Sequence, residues 1–157
     1  MFITFVRPKV EYATVTWSPW HKKDINLVER VQRSFTCRIP GLLGPYNERL
    51  LILKLQSLEL RRIIFDLTEV YKIMHGLSGL KQNEFFKLSN SRTRGHNLKV
   101  VKGKFHCDER KFYFSNRVFD AWNSLSVATV NAPTVGAFKR LIISDDSVMK
   151  FLKGDFL

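Results

Sequence analysis

The chain has 157 residues, 45% of them apolar, which is enough for one modest domain or two small helical lobes. Its 26 Lys and Arg stand against 14 Asp and Glu, and the resulting charge of +12 favours polyanionic partners, nucleic acid ahead of an acidic membrane surface. No run approaches the roughly 18 apolar residues a membrane span needs, Met1–Val6 lacks the basic start of a secretory signal, and Cys37 and Cys107 form no Cys-x-x-Cys pair, so neither a disulfide framework nor a zinc knuckle is legible. These features predict an intracellular protein, nuclear and/or cytoplasmic, without a membrane partner.

In chain order the pattern is mostly helical. Residues 2–17 carry Phe2, Val6, Val10, Ala13 and Trp17 on one stripe, with a kink or a fresh start at Pro8 and a stop at Ser18-Pro19. Asp24 is placed to cap a helix whose inward face is Ile25, Val28, Val31, Phe35 and Ile39, ending at Pro40-Gly41. A short helix is expected over Asn47–Leu53. Ser57 then caps the clearest helix in the chain, which runs to His75 and stops at Gly76. Leu60, Ile63, Ile64, Leu67, Tyr71 and Met74 form its apolar stripe, with Glu59, Arg62, Asp66 and Glu69 on the wet side and Arg62–Asp66 as an i,i+4 pair.

The pattern weakens from Gly76 to about Leu98 into a polar connection. Residues 97–107 alternate loosely around Gly103 and predict a hairpin of Leu98–Val101 with Lys104–Cys107. Two final helices are expected over 110–124, with Phe114, Val118, Ala121, Trp122 and Leu125 on one face, and over 134–143, capped by Thr134. The fold class is therefore mainly α: a helical bundle followed by a small β-hairpin and two further helices. The division is a helical lobe over 1–78, a polar connector over 79–96, a basic hairpin-plus-helices lobe over 97–143 and a tail over 144–157.

Three segments stand in a telling order. Arg7-Pro8-Lys9-Val10-Glu11-Tyr12-Ala13 runs on to Trp17-Ser18-Pro19, Ser91-Arg92-Thr93-Arg94-Gly95-His96 follows, and Arg117-Val118-Phe119-Asp120-Ala121-Trp122-Asn123-Ser124-Leu125 comes last. With connecting blocks at Asp24–Gln32, Glu48–Arg62, Asp66–Lys72 and Phe138–Arg140, they resemble the thumb and post-thumb region of a non-LTR, LINE-type (jockey/CR1-like) retrotransposon reverse transcriptase. The resemblance covers about Phe5 to Leu141 and leaves Ser144–Leu157 unmatched. It implies an RNA-directed DNA polymerase as parent, with Mg in a palm domain that this stretch lacks. It also implies RNA, DNA or an RNA–DNA hybrid as partner, beside the palm and the remaining thumb helices. The chain itself is then a non-catalytic appendage that needs no cofactor.

The residues agree with that division of labour. Asp145-Asp146, the one Asp-Asp, follows Ile143-Ser144 instead of an aromatic lead and lies downstream of the matched region, so it reads as an acidic helix end and not as a two-metal site. The four histidines show no zincin spacing, and no glycine loop leads into Lys-Ser or Lys-Thr. Neither a catalytic nor a metal-ligating set is assigned.

Binding remains. Residues 81–117 hold ten basic and three acidic side chains, a surplus of seven out of the twelve. Arg92 and Arg94 beside Gly95 and His96 bring guanidinium forks and a nearly bare backbone to a phosphate chain, Lys99, Lys102 and Lys104 project from the hairpin, and Arg110, Lys111 and Arg117 follow on the helix. Phe105, Phe112, Tyr113, Trp17 and Trp122 read first as packing residues, although the first three have the chemistry to stack on bases. Two other readings stay open: a decayed transposon remnant, and a domesticated helical protein-interaction module.

Overall fold

The computed structural model describes residues 1–89, 95–146 and 148, and the chain divides into two compact units, Met1–Arg62 and Ile63–Leu157. The division falls inside a helix, not in the expected 79–96 connector.

In the first unit, Phe2–Val6 makes a π-helical turn that runs into α1 (Arg7–Glu11), with Pro8 in the first turn where its missing N–H costs nothing. The helix stops there, short of the expected Trp17. Ala13 takes a left-handed φ of 52°, and the Trp17 indole N–H donates to the Tyr12 carbonyl at 2.7 Å. The β-branched run Thr14-Val15-Thr16, a poor helix former, stays in the turn. Glu11 is held by Arg61, which donates from both Nε and Nη2.

Helix α2 (Lys22–Cys37) begins at His21, and Asp24 sits in its first turn without acting as the cap. The inward face is also rotated from the apolar reading. Glu29, Gln32 and Thr36 are buried, while Leu27 and Val31 are exposed. The polar face is spent on the two helices that follow, α3 (Tyr46–Ile52) and α4 (Leu58–Met74). The Glu29 carboxylate accepts from the Leu58 and Glu59 backbone N–H groups, both at 3.2 Å, and from the Tyr46 hydroxyl. Gln32 donates to the Gln56 carbonyl at 2.9 Å, and Arg49 donates to Thr36 Oγ1 and to the Gly44 carbonyl. Burial and then the bond to Glu29 push the Tyr46 hydroxyl well above its usual range. Burial also raises the Glu59 carboxyl, with Glu29 adding to it against the pull of Arg62 and Lys22.

Helix α4 matches its expected bounds closely. Ser57 Oγ accepts from the Leu60 N–H, and Gly76 takes a φ of 67° as the left-handed stop while Leu77 N–H closes on the Lys72 carbonyl at 2.7 Å. Its expected wet side is not wet: Arg62 and Asp66 are both buried. In the second unit, Leu67, Val70, Tyr71 and Ile73 from α4 are buried in one core with Trp122, Val130, Phe138 and Ile142. Tyr71 stacks on Phe138 at 4.3 Å and its hydroxyl donates to the Ala132 carbonyl at 2.6 Å.

The expected connector contains α5 (Gln82–Phe85), and the single helix expected over 110–124 is three: α6 (Asp108–Lys111), α7 (Phe114–Arg117) and α8 (Phe119–Ser124). The breaks fall at Tyr113, which is extended, and at Val118. Two more follow in the second unit, α9 (Val127–Val130) and α10 (Val135–Ser144), and Thr134 caps α10 as read from the sequence. Asp145 accepts from the Ser126 N–H and from Thr129 Oγ1, which closes the start of α9.

The hairpin of 98–101 with 104–107 is not formed. Residues 98–101 pair instead with 87–89 through one antiparallel bridge, Leu88 to Val100, flanked by bonds from Ser89 N–H to Lys99 O at 2.8 Å and Val101 N–H to Lys87 O at 2.7 Å. On the other edge the Asn123 carboxamide accepts from Val100 N–H and donates to Val100 O, both at 2.9 Å. That amide occupies the place a second strand would take.

Glu29→Ala removes the acceptor for two N–H groups of α4 and for Tyr46 at once. A loss of about 1–3 kcal/mol is expected, read as a lower urea midpoint, with Asp24→Ala costing less than half as much.

Candidate nucleic-acid interface

Trp122 and Asn123 of α8 shape the basic segment. The Trp122 indole N–H donates to the Leu98 carbonyl at 2.8 Å, and the Trp122 carbonyl accepts from His96 Nε2 at 3.0 Å. With the Asn123 pair on Val100, three successive anchors fix the backbone from 96 to 100 against one helix. Val100 is buried, so by strand alternation its neighbours Lys99 and Val101 face the other way.

Gly103 then brings the chain against α7. A β-carbon there would lie 2.9 Å from Asn116 Oδ1, and the same carboxamide donates to the Arg110 carbonyl at 2.7 Å. Asn116 therefore joins the Lys102–Lys104 loop to the end of α6. Lys102, Lys104, Arg110 and Lys111 are all exposed around this junction. Lys102 pairs loosely with Asp120 at 3.3 Å on an exposed surface, a contact of small energy. Lys99 is half-buried, and its aliphatic end lies 3.0 Å from where a β-carbon on Gly95 would stand; Gly95 has a φ of 114°, which also favours glycine.

Two of the expected contact residues belong to the interior. His96 is 3% exposed and packs edge-on against the Trp122 ring at 5.7 Å, so its imidazole is a core group and not a phosphate contact. Because the Trp122 carbonyl can only accept, Nε2 carries the proton, and Nδ1 is buried without a hydrogen-bond partner. Burial holds this imidazole below its usual range; the Trp122 carbonyl opposes that shift and Lys99 reinforces it. Arg117 donates from Nε and Nη2 to Asp66 at 2.8 and 2.9 Å, a bidentate ion pair that is largely buried. Its charge is committed to the fold. Arg92 and Arg94 lie outside the described residues.

The sequence reading passed over Lys87. It is exposed beside Val101 in the bridge and at the rim of an open groove of about 550 Å³ lined also by Gln82, Asn83, Phe86 and Leu88. It also passed over the outer face of α2. Lys22, Lys23, Arg30, Arg33 and Arg38 are exposed there, while Glu29 is turned inward. Lys87 has a signal in its basic context, whereas the α2 face depends on knowing that the acid is buried.

Among the described residues no three His, Cys, Asp or Glu side chains converge to hold a metal ion, and no helix is long and apolar enough to cross a membrane. No protein-family model matches the chain, and no match is found among curated proteins or solved structures.

Gly103→Ala forces Asn116 aside. A loss of about 1–3 kcal/mol is expected from urea titration. The buried His96 gives a pH signature of definite sign. A neutral imidazole in the fold, against an unfolded value of about 6.5, leaves its stabilisation complete above that pH and removes it as the pH falls toward the lower folded value. The urea midpoint should drop between pH 7.5 and 5.5, and His96→Gln should flatten that drop.

Proposed function

We propose that this chain is a non-catalytic, nucleic-acid-gripping appendage of an RNA-directed DNA polymerase of the non-LTR retrotransposon type. The observation that carries the reading is the clustering of Lys102, Lys104, Arg110 and Lys111 around Asn116, all exposed, within the stretch that holds seven of the twelve excess positive charges. Lys87 extends the same surface. Template RNA, primer DNA or their hybrid is held by its phosphates, each neutralised phosphate releases condensed counterions, and sequence preference is weak because phosphates carry no base identity. The polymerase chemistry, with its Mg ions, belongs to the palm of the parent. In this reading Trp122, Asn123 and Asn116 position the basic backbone, and Arg117 with Asp66 supports it from beneath.

One observation favours a second reading, a helical protein-interaction module. Phe5, Leu27, Leu51 and Ile52 in the first unit are 63%, 52%, 77% and 64% exposed, apolar surface of the kind that docks a partner where it is contiguous.

Affinity for labelled single-stranded RNA, duplex DNA and an RNA–DNA hybrid, measured across a salt series, separates the two. Phosphate binding weakens steeply as salt rises. Replacing Lys102, Lys104, Arg110 and Lys111 together with Ala should lower the slope of log K against log salt by about 1 per contact removed, while replacing Lys139 and Arg140 should leave it unchanged. Equal, salt-insensitive binding in all three proteins would overturn the proposal and favour apolar docking.

A further inference from the structure

Tyr113 lies against Arg110 in the basic stretch and is half exposed. It is the residue on which the helix expected over 110–124 breaks, held in extended conformation immediately before α7, with its carbonyl accepting from the Asn116 and Arg117 N–H groups at 2.9 and 3.0 Å. Its neighbours in sequence turn inward to different degrees. Phe114 is 7% exposed and packs on Phe86 at 5.9 Å, and Phe112 is half-buried, whereas Tyr113 is 50% exposed. The Arg110 guanidinium lies over the Tyr113 ring at 5.2 Å.

A flat ring whose backbone is hydrogen-bonded into the start of α7 and which is paired with a planar cation is a surface on which a second flat, polarisable ring can stack. The nearby exposed charges, Arg110 and Lys111 on the adjoining helix, suit the phosphates on either side of such a base. A duplex buries its base faces in its own stack and offers this ring only backbone. An unpaired base offers the face itself.

We propose that Tyr113 and Arg110 form a stacking platform for an unpaired nucleobase, so that this interface takes single-stranded nucleic acid in preference to duplex. This rests on the nucleic-acid reading above and adds the strand state of the ligand. Because every base has a π-face, the platform is tolerant of sequence, with purines held more tightly than pyrimidines through their larger rings.

The test uses single-stranded oligonucleotides carrying one 2-aminopurine and the matching duplexes, with the unaltered chain, Tyr113→Ala, Tyr113→Phe and Arg110→Lys. Stacking on Tyr113 is expected to quench 2-aminopurine and to make single strands bind more tightly than duplex. Tyr113→Ala should weaken single-strand binding about tenfold while leaving duplex affinity and the urea midpoint in place. Tyr113→Phe should retain the quench, and Arg110→Lys, which keeps the charge but loses the plane, should lose part of it. Salt-sensitive binding of both ligands that Tyr113→Ala leaves untouched, or lowers equally, would overturn the platform and keep the electrostatic interface. Absence of salt-sensitive binding to either ligand in the unaltered chain would overturn both.

Discussion

A backbone N–H or carbonyl taken out of water must find a partner, and in this molecule side chains meet that demand where strands usually would. Asn123 takes both polar groups of Val100, Trp122 takes the carbonyl of Leu98, Gln32 takes that of Gln56, and Glu29 takes the first N–H groups of α4. The bonds from Asn123, Trp122 and Gln32 fix a non-helical stretch against a helix, and those to Glu29 cap the start of α4. An irregular segment such as 96–104 is thereby ordered without a sheet, and its lysines are presented from a defined path.

The two units solve the same problem with different interiors. In the second, aromatic and aliphatic side chains from α4, α8 and α10 make an apolar core, and the polar groups at its margin are matched by Tyr71, Asn123 and Asp145. In the first, the inward face of α2 is Glu29, Gln32 and Thr36, so much of the interior is a hydrogen-bonded network. Turning a carboxylate inward leaves the outer face of α2 to its cations and to two exposed aliphatics. Arg49 and Arg62 are buried in the same unit, so the gain in positive character is local to that face of α2.

What the sequence made legible follows from how local each signal is. Helices α4 and α10 were readable because their caps and stops, Ser57, Gly76 and Thr134, act within a few residues of themselves. The inward face of α2 was not readable, since Val31 fits an apolar stripe as well as Gln32 fits a polar one until the acceptor on Gln56 is known. The hairpin failed for the same reason: alternation over 98–107 was present, but its partner edge is supplied by Asn123, some twenty residues on. Of the expected contact residues, Lys102, Lys104, Arg110 and Lys111 are exposed around Asn116. Arg117 and His96 could not be sorted from them by charge or spacing, because what removes them is a carboxylate on α4 and an indole on α8.

Helices α6, α7 and α9 are four residues each, and α8 is six. Segments of that length do not repay the entropy of nucleating a first turn and exist only while neighbours hold them. The stretch from 108 to 130 is therefore conditional structure, held in place by its packing in the core with α4 and α10. Amide hydrogens there should exchange through local openings well below the free energy of global unfolding, in contrast to those of α4. The basic surface sits on the least cooperative part of its unit, and a polyanion that binds it would act as a scaffold, raising the protection of residues it never touches.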